Sequence, residues 1–371
     1  MDSSRPATLP QFPEVSIEVS IIVPARNEEP SLADCLRSLT AQAGVAFEII
    51  VVDDASTDRT REIAQSFTGV RVISPEPLPR NWTGKNNALV AGAKHARACW
   101  LLFTDADTVH LPGSLTRALE EAKKQRADLL SYSPEQVVVT FAERAVMPVI
   151  FAELAAQYPL HRVREKVREQ SSGIVAANGQ YILVCRAAYD AVGGHAAVAT
   201  EILEDVALAR LFGDAGQRVY FRYGEDAVHT RMYRNWAQLR DGWTKNLALL
   251  FPRVEFLAFQ SVLWWFAAWL ALGLAVYGAA SRHFLWIVFA AVWLLLYRRI
   301  GAAHFSAANN LITMAFGLPA FSYLLLHSRR AHANGRVSWK GRDYGVGVPR
   351  GRAPARTQVA KPLSRIESQK L

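Results

Sequence analysis

The chain has 371 residues, enough for one large domain and a smaller module, and about half of them are apolar. The net charge of +9 is concentrated at one end: from Ser328 onward eleven Lys and Arg face only Asp343 and Glu367, so the rest of the chain is neutral. A neutral body with no basic stripe argues against nucleic-acid binding, and three widely spaced cysteines (Cys35, Cys99, Cys185) exclude a disulfide framework or a zinc site and fit a reducing compartment.

The first half alternates strands and helices. Residues 18–24 read as a short apolar strand through Val19, Ile21, Ile22 and Val23, and residues 30–42 carry helical spacing through Leu32, Leu36 and Leu39. A buried strand follows at 47–52, a helix at 57–67, a strand at 70–73 and an Ala-rich helix at 85–98. Residues 100–104 form a strand ending at Asp105, followed by a helix at 111–125 and a strand at 127–133. This alternation predicts a doubly wound, mostly parallel sheet, in which ligands sit at the carboxyl ends of strands. Polar clusters fall at three such ends: 25–28, 53–58 and 105–107.

Residues 141–158 are apolar but interrupted by Glu143, Arg144, Pro148 and Glu153, too polar to span a bilayer; they suit either an interfacial helix or one packed on the domain. Residues 256–280 carry no charge and exceed the roughly 20 residues that a hydrocarbon core requires. The apolar runs 284–297 and 311–326 are shorter, and the second contains Pro319. Three crossings from a cytoplasmic start would put the basic tail outside, against the positive-inside tendency. Two or four crossings, with one short segment re-entrant or interfacial, are therefore expected. A basic tail beside apolar segments suits an anionic leaflet, although a solvated tail is the plainer reading of the same composition. The first 18 residues have no apolar run of signal-peptide type, so the first domain is expected in the cytoplasm.

The polar clusters carry the chemistry. In Asp53-Asp54-Ala55-Ser56-Thr57-Asp58 a capping turn accounts for Asp58 but not for two consecutive acids at a strand end, where a carboxylate suits a nucleobase N–H or a ribose hydroxyl. Asp105-Ala106-Asp107 can place two carboxylates around one Mg²⁺ or Mn²⁺ if the chain turns at Ala106, the cation then neutralising a diphosphate leaving group. Lys85 opens a helix, where a phosphate is welcome and an unpaired lysine slightly disfavoured. Glu204 and Asp205 open another helix, a common stabilising arrangement on its own. Residues 229–246 mix aromatics, bases and amides just before the first apolar span, as interfacial anchors do.

In order and spacing, these clusters resemble the family-two glycosyltransferases, inverting enzymes of the GT-A fold. The matching elements are Ile22-Val23-Pro24-Ala25-Arg26-Asn27-Glu28, Val51 to Asp58, Gly84-Lys85, Asp105-Ala106-Asp107 and Glu204-Asp205, with Asn178-Gly179-Gln180 and Gly193-Gly194-His195 also similar. The resemblance implies an α/β GT-A domain (Rossmann-like, a mostly parallel sheet with flanking helices) over 18–250. A tail at 1–17 precedes it; transmembrane helices over 251–328 and a basic cytoplasmic tail at 329–371 follow. It implies that Pro24, Ala25, Arg26, Glu28, Asp53, Asp54, Lys85 and Asp105 hold a nucleotide-sugar. Asp107 is implied as the principal ligand of Mg²⁺ or Mn²⁺, with Asp105 nearby, and Asp205 beside Glu204 as the general base. Trp82, Asn178, Gly179, His195, Arg231 and Trp243 are expected on the acceptor or interface side. Processive members carry Gln-x-x-Arg-Trp after the base; aligned on Trp243, this chain has Leu239 and Gly242 at the Gln and Arg positions. Transfer of a single sugar, from a uridine-diphosphate hexose, is therefore expected. The apolar segments and Trp339-Lys340-Gly341-Arg342 resemble bacterial members associated with hopanoid or carotenoid lipids, implying a lipid acceptor at the cytoplasmic face of the inner membrane. A polyprenyl-phosphate acceptor is the alternative, and a non-catalytic membrane scaffold a remote one. A nucleotidyltransferase would need a Gly-rich loop after the first strand, where this chain has Pro24-Ala25-Arg26-Asn27-Glu28.

Overall fold

A computed structural model describes residues 16–158 and 176–343. A seven-stranded sheet runs in the order β3-β2-β1-β4-β8-β6-β9. Its strands are β1 (Val19–Ala25), β2 (Phe47–Asp53), β3 (Val70–Ile73), β4 (Trp100–Phe103), β6 (Leu129–Ser133), β8 (Ile182–Cys185) and β9 (Val219–Tyr223). Only β8 runs against its neighbours β4 and β6; the other pairings are parallel. Buried strands such as Ile49-Ile50-Val51-Val52 have apolar residues on both faces, as expected when helices cover both sides of a sheet.

One face packs on α1 (Leu32–Thr40) and α4 (Ser114–Gln125), through Leu32, Leu36, Leu39, Leu115 and Leu119. The other packs on α3 (Gly84–His95) and, past the short helices α6 (Arg186–Ala191) and α7 (Gly194–Ala197), on α8 (Glu204–Asp214). The helix α2 (Thr60–Gln65) joins β2 to β3. A small second sheet, β5 (Thr108–His110), β10 (Val228–Thr230) and β7 (Glu135–Gln136), crosses just beyond β4. The register pairs Ala25 with Asp53 and continues through a Thr104 N–H to Ile22 carbonyl bond. The ends of β1, β2 and β4 therefore finish side by side, which brings the loops after them together.

The helix expected over 141–158 forms as α5 (Phe141–Gln157), started by a capping box between Thr140 and Glu143. It packs in one cluster with α9 (Trp236–Leu250), α10 (Val254–Ala280) and α12 (Ala307–Ala333). Two prolines shape this contact. Pro148 cannot donate to the carbonyl four residues back, Arg144, and the Thr313 hydroxyl donates to that carbonyl instead at 3.1 Å. Pro319 likewise leaves the Ala315 carbonyl free, and the Trp265 indole N–H donates to it at 2.9 Å. The widened π turn Thr313–Gly317 inside α12 ends two residues before Pro319. A Cβ on Gly317 would lie 1.9 Å from the Ala145 carbonyl oxygen, so glycine lets α12 lie directly on α5.

Among the described residues two helices, α10 and α12, are long and apolar enough to cross a membrane. The helix between them, α11 (Trp286–Gly301), is shorter. Phe256, Phe259, Leu263, Phe266, Leu270 and Val276 are exposed along α10. The segment 311–326, short by composition, is part of a 27-residue helix because π and α turns continue through Pro319 to Ala333. That helix runs past residue 328, where the basic tail was expected to begin. A hairpin of β11 (Ser338–Trp339) and β12 (Arg342–Asp343) follows it.

Candidate active site

The strand ends and helix starts border one cavity of about 600 Å³. Pro24, Ala25, Arg26 and Glu28 line it after β1, Asp54 after β2, and Asp105, Ala106 and Asp107 after β4. Lys85 enters from the start of α3, held by the Thr83 cap that accepts from the Asn86 N–H. Glu204 and Asp205 enter from the start of α8.

The mild mismatch of a lysine at a helix N-terminus is resolved by partners. Lys85 Nζ lies 2.7 Å from both Asp105 Oδ1 and Glu204 Oε1. Burial opposes the ammonium, but these two carboxylates hold its pKa well above the usual lysine range. The same cation, with Lys245, keeps Glu204 below its ordinary value in spite of burial. Gly179 fits closely here: a Cβ would come 3.2 Å from Lys85 Nζ and 3.3 Å from Glu204 Oε1.

Asp205 is bound through backbone. Its Oδ2 accepts from the Gly179 N–H at 2.8 Å and its Oδ1 from the Val206 N–H at 2.8 Å. Burial and the neighbouring Glu204 carboxylate nevertheless push it up to about 6. A carboxylate so held has lone pairs free toward the cavity and a proton affinity suited to general-base work near neutral pH.

Asp107 is the least satisfied acid. Its Oδ1 is buried without a hydrogen-bond partner among the described residues. Burial, with the Asp105 and Glu28 carboxylates beside it, raises it to about 7. An orphaned carboxylate oxygen among other acids suits a cation. No three His, Cys, Asp or Glu side chains gather as a metal site among the described residues. A divalent ion here would therefore use Asp107 and Asp105 and complete its shell with ligand oxygens, the habit of Mg²⁺ and Mn²⁺ beside phosphates.

The consecutive acids after β2 divide. Asp53 turns away, accepting from the Ser56 N–H at 3.2 Å and from Arg61 at 3.2 Å, and it does not line the cavity. Asp54 faces the cavity and is raised by burial, against the pull of Arg342. Arg342 comes from β12 and grips it with both guanidinium nitrogens, one of them at 2.8 Å. Lys340 pairs with Glu28, and Arg26 donates to the Lys340 carbonyl at 3.0 Å and to the Asp54 and Ala55 carbonyls. The hairpin can approach because residue 84 is glycine: a Cβ there would fall 1.6 Å from Arg342 Nη1.

Of the residues expected on the acceptor side, Asn178 and Trp243 line the cavity, and Gly179 touches it through its bond to Asp205. Trp82, His195 and Arg231 do not. His195 is buried beside Phe103 and bonded to the Tyr189 hydroxyl at 2.9 Å, with burial lowering it to about 3. Arg231 pairs with the buried Glu143 at 3.2 Å, supporting the start of α5. The sequence reading assigned no site role to Lys245, Trp339, Lys340 or Arg342, all of which border the cavity. The last three belong to Trp339-Lys340-Gly341-Arg342, whose resemblance to lipid-associated bacterial members carries no site role. Away from the acids the wall is apolar, with Phe151, Leu154, Leu250 and, past the end of α11, Ala302 and Ala303.

Residues 20–145 match the family model described as Glycosyl transferase family 2. The chain is 27% identical over 350 residues to the 4,4'-diaponeurosporenoate glycosyltransferase of Staphylococcus aureus (strain USA300), covering 88% of each chain. Among solved structures it is similar to mannosyltransferase PcManGT from Pyrobaculum calidifontis, in complex with GDP-Man and Mn²⁺ (TM-score 0.47, 18% identity, 88% of this chain and 90% of that one). It is also similar to glucosyl-3-phosphoglycerate synthase from Mycobacterium tuberculosis, in complex with Mn²⁺, UDP and glucosyl-3-phosphoglycerate (TM-score 0.42, 18% identity, 66% and 84%). The stretch that matches the Glycosyl transferase family 2 model contains Asp54, Lys85, Asp105 and Asp107.

Proposed function

We propose that this glycosyltransferase moves one hexose, with inversion, from a nucleotide-diphosphate sugar to a lipid acceptor at the cytoplasmic face of the inner membrane. The observation that carries this reading is the continuity of a single cavity. Its lining includes Asp54, Lys85, Asp105, Asp107 and Asp205 together with the apolar Phe151, Leu154, Leu250, Ala302 and Ala303. The relative named for diaponeurosporenoate supports an apolar acceptor.

In this reading Asp54 and Glu28 face the nucleoside side, and Lys85 lies where a diphosphate would arrive. Asp107, with Asp105, would hold Mg²⁺ or Mn²⁺, whose chemistry would be to neutralise charge on the leaving diphosphate. Asp205 takes the proton of the acceptor oxygen as that oxygen attacks the anomeric carbon. The bond from that carbon to the diphosphate oxygen breaks, and its electron pair leaves with the nucleoside diphosphate. A uridine diphosphate hexose is the donor the reading favours. The span 18–250 acts as the catalytic unit, and α10 and α12 anchor it.

Mass spectrometry of lipid extracts from cells with and without the protein tests this directly. A lipid heavier by one hexose only when the protein is present is expected. Its absence, with sugar transferred instead to a soluble acceptor, would overturn the lipid assignment.

A further inference from the structure

Behind Asp105 and Asp107 lies a group of buried polar side chains that takes no part in the proposed transfer: Thr104, Thr108, His110, Gln180 and Thr230. Of these, Gln180 alone borders the cavity. Asp105-Ala106-Asp107 joins β4 to β5, and both aspartate carbonyls are tied from this buried side. The Thr108 hydroxyl donates to the Asp105 carbonyl at 2.8 Å, and the Thr230 hydroxyl, from the neighbouring strand β10, donates to the Asp107 carbonyl at 3.1 Å. The two limbs meet at one ring. His110 Nε2 lies 3.2 Å from the Thr108 hydroxyl and 3.0 Å from that of Thr104. Thr104 donates to the Gln180 carbonyl at 2.8 Å, and the Gln180 side-chain amide donates to the Thr230 hydroxyl at 3.2 Å. A hydroxyl carries one hydrogen. Those of Thr104 and Thr108 go to carbonyls, so His110 Nε2 is left as the donor to both oxygens. Burial lowers the pKa of the ring to about 3 and keeps it neutral, with its one N–H at Nε2. The ring is itself fixed. The His110 backbone N–H donates to the Ser38 hydroxyl of α1 at 2.9 Å, and the Tyr181 ring packs against the imidazole with centroids 5.5 Å apart.

We propose that His110 is a positioning residue whose Nε2–H locks the turn that aims the Asp105 and Asp107 carboxylates into one site. That the pair so held takes a divalent ion rests on the metal assignment above. On an extended chain, carboxylates two residues from one another share a face only if the backbone between them keeps its course, and like charges resist being gathered round one point. An ion with few protein ligands is therefore bound well only if the backbone of each ligand is fixed before it arrives. Thr108 fixes Asp105 and Thr230 fixes Asp107. His110 is joined to both, directly to Thr108 and through Thr104 and Gln180 to Thr230. A neutral donor does this without adding a positive charge that would compete with the ion.

The test uses the full-length protein in nanodiscs and two variants: His110→Leu, which removes the donor, and His110→Gln, whose amide nitrogen can take the place of Nε2. Amide hydrogen exchange of the metal-free protein reads the turn. Electron paramagnetic resonance of Mn²⁺ in the presence of UDP reads the site, and calorimetry reads metal-free UDP binding. In His110→Leu, exchange in the peptide that holds Asp105 and Asp107 should quicken about tenfold or more, and Mn²⁺ binding should weaken about tenfold or more. Its metal-free UDP affinity should stay within about threefold of the wild type, and His110→Gln should stay within about threefold in all three measurements. A smaller change than this in the exchange or the Mn²⁺ affinity of His110→Leu overturns the proposal. So does a His110→Gln variant that loses as much as His110→Leu, or a UDP affinity that falls as far as that for Mn²⁺. If His110→Leu does not fold, Thr108→Val, which keeps the volume and removes the hydroxyl, is held to the same criteria. A wild type that binds no Mn²⁺ with UDP would overturn the metal assignment instead. Exchange alone then decides the lock: faster in His110→Leu but not in His110→Gln upholds it, and equal in both overturns it.

Discussion

The two ends of the cavity differ in how charge is handled. At the sheet end nearly every charge has a counter-charge or a backbone donor: Lys85 with Asp105 and Glu204, Arg342 with Asp54, Lys340 with Glu28, and Asp205 with two N–H groups. The exception is Asp107, whose Oδ1 has no partner among the described residues. Along the helices Phe151, Leu154, Leu250, Ala302 and Ala303 line the cavity, and Lys245 among them feels the Glu204 carboxylate. Buried polar groups in a stable protein are normally satisfied. The orphaned Asp107 oxygen therefore marks where a ligand of opposite charge is expected, a metal cation on the donor side.

Changes at the acidic end should break this picture most strongly. Asp205→Asn is expected to lower transfer by about 10²–10⁴-fold while leaving UDP affinity within threefold, measured by initial rates and calorimetry. A small rate loss would remove Asp205 as base. Chelation by EDTA should reduce turnover by about 10²-fold or more, restored by Mn²⁺ or Mg²⁺, and Asp107→Asn should raise the metal concentration required. Full activity in EDTA would mean that Asp107's orphan oxygen has another purpose. The hairpin gives a smaller effect. Arg342→Ala leaves the buried Asp54 carboxylate without its cation on the expected nucleoside side and should weaken UDP binding roughly tenfold. Gly84→Ala, whose Cβ would displace the same guanidinium, should move affinity in the same direction. Unchanged affinity in both would make the hairpin a bystander.

The pH profile sharpens the comparison most gently. Asp205 is raised to about 6, so it is protonated below that pH and becomes the competent base above it. At saturating metal, which keeps Asp107 ionised, kcat/KM should fall about tenfold per pH unit below about 6 and level off above it. A profile flat down to pH 4 would contradict the assignment.

The order of strands and helices in the first half could be read from periodicity because each element buries its own apolar face. The acids at strand ends were equally plain, since a carboxylate after a buried strand needs a reason to be there. Sequence could not divide Asp53 from Asp54, because successive residues leave a strand in opposite directions and only the turn after β2 decides which one meets Arg61 and which the cavity. The reversed strand β8 was also hidden: its four residues carry no period that separates antiparallel from parallel pairing.

By itself the sequence determined the α/β sheet, the acidic clusters, the apolar helices and the likeness to family-two glycosyltransferases, because these depend on local pattern and on ordered motifs. Tertiary structure alone decided that Arg342 and Lys340 return to the strand ends some 300 residues earlier in the chain, and that His195 and Arg231 support neighbours rather than line the cavity. Charge pairing depends on distance in space, which the spacing of residues along a chain does not encode.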